Sequence, residues 1–242
     1  MSSVSSVVNV ASNLAKVRER IAQAARRAGR RPDEIALMAV SKTFPAEAIR
    51  AACDAGQRLF GENRVQEFAE KAPALAGLDL EMHLIGHLQS NKAKKAAEIF
   101  QAVDSVDSLK LAEKLNASVE TQHAASLPCL IEINIGGEEA KSGLPPDSPE
   151  FEELLLAAPR LDHLQFRGLM TLPPFTDDPE GARPYFRRVR ELRDHLARRR
   201  LPAISLDVLS MGMSHDFEVA IAEGSTCVRL GTAIFGERNG RA

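Results

Sequence analysis

Ile35-Ala36-Leu37-Met38-Ala39-Val40-Ser41-Lys42-Thr43 is the stretch on which the architecture turns. Its first six residues are uninterruptedly apolar and too few for an ordinary helix, so they read as a strand buried on both faces. Such strands belong to parallel sheets, which need a helical crossover between one strand and the next. Upstream, Val10, Leu14, Val17, Ile21, Ala24 and Ala28 recur at spacings of three and four and define an amphipathic helix. Gly29 stands at its C-cap position, and Pro32 blocks continuation. Downstream, Pro45–Ala55 reads as a helix closed by Gly56, Arg58–Phe60 as a strand, and Arg64–Lys71 as the next helix. The alternation continues through strands at Met82–Ile85, Gln101–Val103, Pro128–Ile135, Leu164–Leu169, Ser205–Leu209 and Thr226–Leu230. Helical patterns separate them at Asn91–Phe100, Leu109–Glu120, Pro149–Ala157, Pro179–Arg199 and Ser214–Glu223, with Asp178 the N-cap of the fourth. An open doubly wound sheet competes, but it uses fewer strands and reverses their order. The expectation is an α/β fold: a single (β/α)8 TIM barrel over residues 1–242, with an extra N-terminal helix in place of a missing final one. Residues 1–9 are expected to be flexible.

Composition narrows the class of protein. Hydrophobic residues are 44% and charged residues 26% of the 242, and the formal net charge of -2 gives no global case for nucleic acid or an anionic membrane. The arginines from Arg187 to Arg200 are interleaved with acids at helical spacing and read as a solvated face. Three cysteines, Cys53, Cys129 and Cys227, have no metal-ligand spacing and fit a reducing compartment, the last two as small buried hydrophobes. Without a secretory pattern or a stretch of membrane-spanning length, the protein is expected to be cytoplasmic.

Barrel active sites lie at the C-terminal ends of strands, so the residues after each apolar run are the candidates. Lys42 follows the first run directly. Partial desolvation there frees its amine as a nucleophile and suits Schiff-base formation, although a strand-end lysine also snorkels outward for no chemical reason. The seventh run leads into Ser210-Met211-Gly212-Met213-Ser214 and the eighth into Arg229-Leu230-Gly231-Thr232. Glycines that admit backbone N–H groups, with hydroxyls beside them, make a phosphate site where barrels often build one; Ser214 also fits a helix cap. A lysine amine facing a phosphate site admits a Schiff-base aldolase acting on a phosphorylated sugar, or capture of pyridoxal phosphate. Spacing does not choose between them.

Other candidates read as structural. His83 and His87 are four apart on a strand and turn with no evident third ligand, so no metal site is expected. His215-Asp216 belongs to a helix start. Gly136-Gly137-Glu138-Glu139 before Lys141-Ser142-Gly143 reads as a mobile flap, and Asn91-Lys92-Lys94-Lys95 as a solvated basic face.

Taken together, Ala39-Val40-Ser41-Lys42-Thr43, Phe60-Gly61-Glu62-Asn63, His83 to Lys92, Lys141-Ser142-Gly143, Arg167-Gly168-Leu169-Met170, Ser210 to Ser214 and Val228 to Gly236 resemble, from about Val10 to Arg238, the pyridoxal phosphate homeostasis proteins. That family has the barrel of the alanine racemase N-terminal domain. The resemblance implies pyridoxal 5′-phosphate as cofactor and Lys42 as its Schiff-base lysine. It implies phosphate contacts from Ser210, Gly212, Met213 and Ser214 and from Arg229, Gly231 and Thr232, with Asn63, His83 and Met170 lining the pocket. Arg229, standing where the pyridine nitrogen would point, opposes its protonation and weakens the ring as an electron sink. Racemases of this fold take a tyrosine from a second domain as their other base. Here the one tyrosine, Tyr185, lies on a helix away from the strand mouths, and the sequence ends at Ala242, soon after the eighth strand. The expectation is a non-catalytic, monomeric cofactor holder whose partners are pyridoxal-phosphate-dependent apoenzymes; the alternative is an amino-acid racemase.

Overall fold

Eight apolar runs become eight staves of one closed parallel barrel, in the order β1 to β8. The computed structural model describes residues 3–121, 126–138 and 141–237, with side chains from Val10 onward. The strands are β1 (Ala36–Val40), β2 (Leu59–Glu62), β3 (Glu81–Leu84), β4 (Ala102–Val106), β5 (Leu127–Ile133), β6 (Leu164–Thr171), β7 (Ile204–Ser210) and β8 (Cys227–Leu230). β1 closes the ring by pairing with β2 through Val40 and Gly61 and with β8 through Met38 and Arg229.

Strand alternation sorts side chains between two cores. Outward residues such as Ala39, Phe60, Leu84 and Ile131 join the large core between sheet and helices. Phe60, Phe166, Phe186 and Phe217 are its largest fully buried side chains, each contributing roughly 2–3 kcal/mol by burial. Inward, Met38, Val40, Ile85 and Cys227 form a separate small cluster with Leu59 and Val208. Gly61 belongs to that inner face: a Cβ there would lie 2.8 Å from Met38 Sδ and 2.9 Å from Ile85 Cδ1. Glycine makes room for the plug.

β6 changes register as it rises. Phe166 and Leu169, three apart, both pack outward, because the pairing with β5 skips Arg167 between Cys129↔Phe166 and Leu130↔Gly168. Gly168 carries this bulge at φ 155°, where a Cβ would sit 1.8 Å from Val208 O. The reset turns Met170 inward.

The helices are α1 (Ser3–Arg27), α2 (Ala46–Asp54), α3 (Val65–Leu75), α4 (Ala93–Ile99), α5 (Leu109–Thr121), α6 (Pro149–Ala157), α7 (Arg183–Arg199), α8 (Phe217–Ala222) and α9 (Thr232–Phe235). α1 packs on α2, α8 and α9 and closes the outer ring. The final helix expected to be missing is therefore present as one turn, too short to leave a periodic signal. Residues 1 and 2 of the segment expected to be flexible lie outside the described residues, and the backbone of 3–9 continues α1. β2 and β4 run further than their apolar residues suggest, because Gly61, Glu62, Asp104 and Ser105 are buried in the barrel wall. α3 likewise runs on through Pro73. Asp178 caps the 3-10 turn leading into α7 by accepting from Glu180 N at 3.0 Å. The arginine-rich face of α7 differs from the expected solvated stripe: Arg183, Arg187 and Arg190 converge on Glu223, at the end of α8, whose side chain is 5% exposed.

Candidate functional site

Lys42 continues the inward alternation of Met38 and Val40, so its half-buried side chain stands at the C-terminal mouth above the inner apolar cluster. Extending the β1–β2 register by two residues sets it level with Asn63, directly after β2. The next residue, Thr43, has φ 68°, a left-handed conformation costly for a β-branched side chain.

Behind this corner, on the outward face under α3, lies a charge cluster that sequence reasoning missed. Ser41 Oγ donates to Glu62 Oε1 at 2.8 Å. Lys71 Nζ donates to Glu62 Oε1 (2.8 Å), Glu67 Oε1 (2.7 Å) and Ser41 O (3.1 Å). Thr43 N donates to Glu67 Oε1 at 2.5 Å. Glu62 is fully buried, and burial pushes its carboxyl up against the opposing pull of Lys71 and Ser41. For Glu67 burial pushes the same way but loses: Lys71 and the Thr43 N–H hold it below its ordinary value.

On the side of β1 away from β2, its neighbour β8 and then β7 deliver the two glycine loops. Gly212 has φ 97°, and a Cβ there would lie 2.6 Å from Ala220 Cβ, so only glycine brings the chain this close to α8. Arg229 N donates to Gly212 O at 2.9 Å, and Ala233 N donates to Ser214 Oγ at 3.4 Å, which stitches the loops together. Ser214 thus serves the joint to α9 rather than capping α8, which begins three residues later at Phe217. Asp216 Oδ1 accepts from Met213 N at 2.6 Å, while His215 Nε2 lies 3.1 Å from Thr176 O and from Asp177 O, so these two neighbours are not a catalytic pair. Gly231 lies against β1: a Cβ there would be 3.3 Å from Val40 O. Thr232 opens α9.

The fully buried Met170 is in register with Ser210. The guanidinium of Arg229, 3% exposed, donates to Ser210 Oγ and Thr171 O, both at 2.7 Å, and burial lowers its pKa. Ser210, Met170 and Arg229 therefore form one inward layer below the loops. His83 sits lower, one inward step beneath Ile85. Its Nδ1 is 3.1 Å from Asp104 Oδ1 and its Nε2 is 3.0 Å from Glu81 Oε1. Burial opposes its charge, but Asp104 and Glu81 prevail and raise it to about 9. His87 pairs separately with Asp107 at 2.7 Å, so the two histidines hold carboxylates and do not converge.

A second missed residue is Glu132, inward on β5 and 5% exposed. Its Oε2 has no hydrogen-bond partner among the described residues. Burial and then Asp107 push it up to about 7, with Arg229 and His87 opposing. Its signal was a carboxylate inside the apolar run Cys129-Leu130-Ile131-Glu132-Ile133. The expected flap beyond β5 is tied down where it is described: Asn134 Nδ2 donates to Glu138 O at 2.9 Å and Lys141 Nζ to Glu138 Oε1 at 2.7 Å; Glu139 lies outside the described residues. At the opposite end of the barrel a groove of about 480 Å³ is lined by Arg18, Ile21, Ala36 and Leu59, remote from Lys42 and both glycine loops. Among the described residues no helix is long and apolar enough to cross a membrane.

A lysine at the mouth of a parallel barrel, beside two glycine loops, defines a class: the family described as alanine racemase, N-terminal domain, matches residues 12–239. The pyridoxal phosphate homeostasis protein of Aquifex aeolicus is 46% identical over 96% of this chain and 99% of its own length. That of Escherichia coli is 46% identical over 96% and 97%. Among solved structures, PipY of Synechococcus elongatus with pyridoxal phosphate bound is 38% identical, covers 94% of this chain and 100% of its own, and superposes with a TM-score of 0.79. This chain belongs to the pyridoxal phosphate homeostasis protein family.

Proposed function

We propose that this protein holds pyridoxal 5′-phosphate in the cytoplasm as a Schiff base on Lys42 and serves cofactor homeostasis without turnover, as a monomer that passes cofactor to apoenzymes. The observation that carries the reading is the placement of an inward lysine after β1 and of a glycine loop after its neighbour β8, with Gly231 packed against Val40, the last residue of β1. Supporting it, PipY of 38% identity is described with pyridoxal phosphate bound. The residues fit such a ligand. Gly212 and Gly231 let the loop backbones lie close against α8 and β1, Ser210, Ser214 and Thr232 supply hydroxyls, and Arg229 supplies a buried positive charge facing the ring. The bound cofactor would supply an aldehyde: its carbon forms a C=N bond to the Lys42 amine while the carbonyl oxygen leaves as water. Asn63 and Met170 would border the ring, and His83 would act from below through the charge it shares with Asp104. The test is the visible spectrum of wild type and Lys42→Ala, before and after borohydride. A yellow band present in wild type, lost on reduction and missing in the variant is expected; a colourless wild type in excess pyridoxal phosphate sinks the reading and favours the aldolase.

One observation favours the racemase alternative. Tyr185 packs against the outer core, but Glu132 brings an inward carboxyl able to exchange a proton near neutrality. Circular dichroism of L-alanine incubated with wild type and Glu132→Gln decides: enzyme-like loss of signal in wild type, abolished in the variant, would replace the non-catalytic reading.

A further inference from the structure

We infer that Lys71 is a positioning residue for Lys42: bridging Glu62 and Glu67, it clamps the backbone on both sides of the cofactor lysine. The inference rests on the proposed role of Lys42. On one side Ser41 is held twice, its carbonyl accepting from Lys71 Nζ (3.1 Å) and its hydroxyl donating to Glu62 Oε1 (2.8 Å). On the other, the Thr43 N–H is held by Glu67 Oε1 (2.5 Å), an oxygen that also accepts from Lys71 Nζ (2.7 Å). One ammonium therefore joins three acceptors that flank a single residue.

Two features argue for a task beyond cohesion. Thr43 is kept at φ 68°, and a strained conformation of this sort persists only where surrounding contacts over-determine it. Glu62 is fully buried, and its Oε2 has no hydrogen-bond partner among the described residues, a costly arrangement for mere stability. What the arrangement provides is direction. With Cα42 fixed from both neighbours, the amine is presented toward the glycine cradle, so a ligand seated by its phosphate meets it at high effective concentration. A loosened corner would leave the cradle intact and lose only that second attachment.

The experiment compares two ligands on the full-length protein. Pyridoxal phosphate can condense with Lys42; pyridoxine 5′-phosphate has the same ring and phosphate but an alcohol in place of the aldehyde. Lys71→Met is expected to weaken pyridoxal phosphate by about tenfold or more while leaving pyridoxine phosphate within about twofold, and Lys71→Arg to recover most of the loss. Borohydride should still attach the residual ligand to Lys42. If the uncompensated Glu62 prevents Lys71→Met from folding, Glu67→Ala, which frees only the Thr43 side, is expected to show the same split at about threefold. Equal losses for both ligands, or unchanged pyridoxal phosphate affinity in a folded variant, overturn the clamp and leave the cofactor reading standing. Failure of borohydride to label Lys42 in wild type overturns both.

Discussion

The two sides of the barrel mouth are held by opposite means. Behind Lys42, the β1–β2 corner is fixed by charge: one ammonium, two carboxylates and a hydroxyl within hydrogen-bonding distance. Behind the cradle, the β7–β8 corner is fixed by shape, through a glycine pressed against Ala220, another against Val40, and loops stitched by backbone N–H groups. On the proposed function, an amine that must be aimed needs directional bonds to its neighbours, whereas an anion that must be enclosed needs bare backbone brought close. The lysine side can thus be retuned by changing charges, and the cradle hardly tolerates an added atom.

The largest effects should separate the two sides outright. Lys42→Ala is expected to abolish the visible band completely while leaving the urea midpoint nearly unchanged, since the side chain is only half-buried. Gly212→Ala should do the reverse to stability, costing about 2–4 kcal/mol from overpacking against Ala220 and from the positive φ. Loss of phosphate affinity should accompany it in a titration with inorganic phosphate. If Gly212→Ala melts like wild type, the contrast between aiming and enclosing fails on the cradle side.

A middle-sized effect concerns pH and the charges inside the barrel. Glu132 is raised to about 7 from 4.5, so the native state binds its proton more tightly than the unfolded chain does. Its contribution is full below about pH 4.5 and is lost as pH rises through 7. His83 is raised to about 9 from 6.5, so its contribution is full below 6.5 and lost as pH rises through 9. Both slopes have the same sign: apo-protein stability should fall between about pH 5 and 9, each group contributing up to roughly 3 kcal/mol. Urea melts across that range should show Glu132→Gln flattening the acid limb alone. The smallest effect is expected at the joint between the loops: Ser214→Ala removes an acceptor 3.4 Å from Ala233 N and should cost less than about 1 kcal/mol by calorimetry.

Most of the barrel could be read from the sequence because continuous apolar runs and three-and-four spacing are local signals. The places of Lys42 and of the two glycine loops at strand ends were legible for the same reason, each following a run directly. What escaped depends on distance in the chain or on contradiction of a local rule. Lys71 looks like any surface lysine on α3 until β2 brings Glu62 beneath it. Asp104 looks like the end of a strand until His83 shows why a carboxylate can be buried there. Arg187 and Arg190 have acids close at hand in sequence, yet both pair with Glu223 just past α8, which Arg183 joins while also holding its own neighbour Glu180. The one-turn α9 is shorter than any periodicity can reveal.

The bulge at Gly168 gives β6 a property its composition does not advertise. Because one residue is left unpaired there, the strand counts positions differently below and above it. Were Arg167 instead paired in regular alternation, Leu169 and Met170 would swap roles, the outer-core leucine going into the mouth and the inward methionine into the helix layer. β6 is thus a segment whose length carries more information than its chemistry. Loss of the Arg167 codon would therefore keep both faces of β6, whereas loss of a codon above the bulge would flip the residues that follow it.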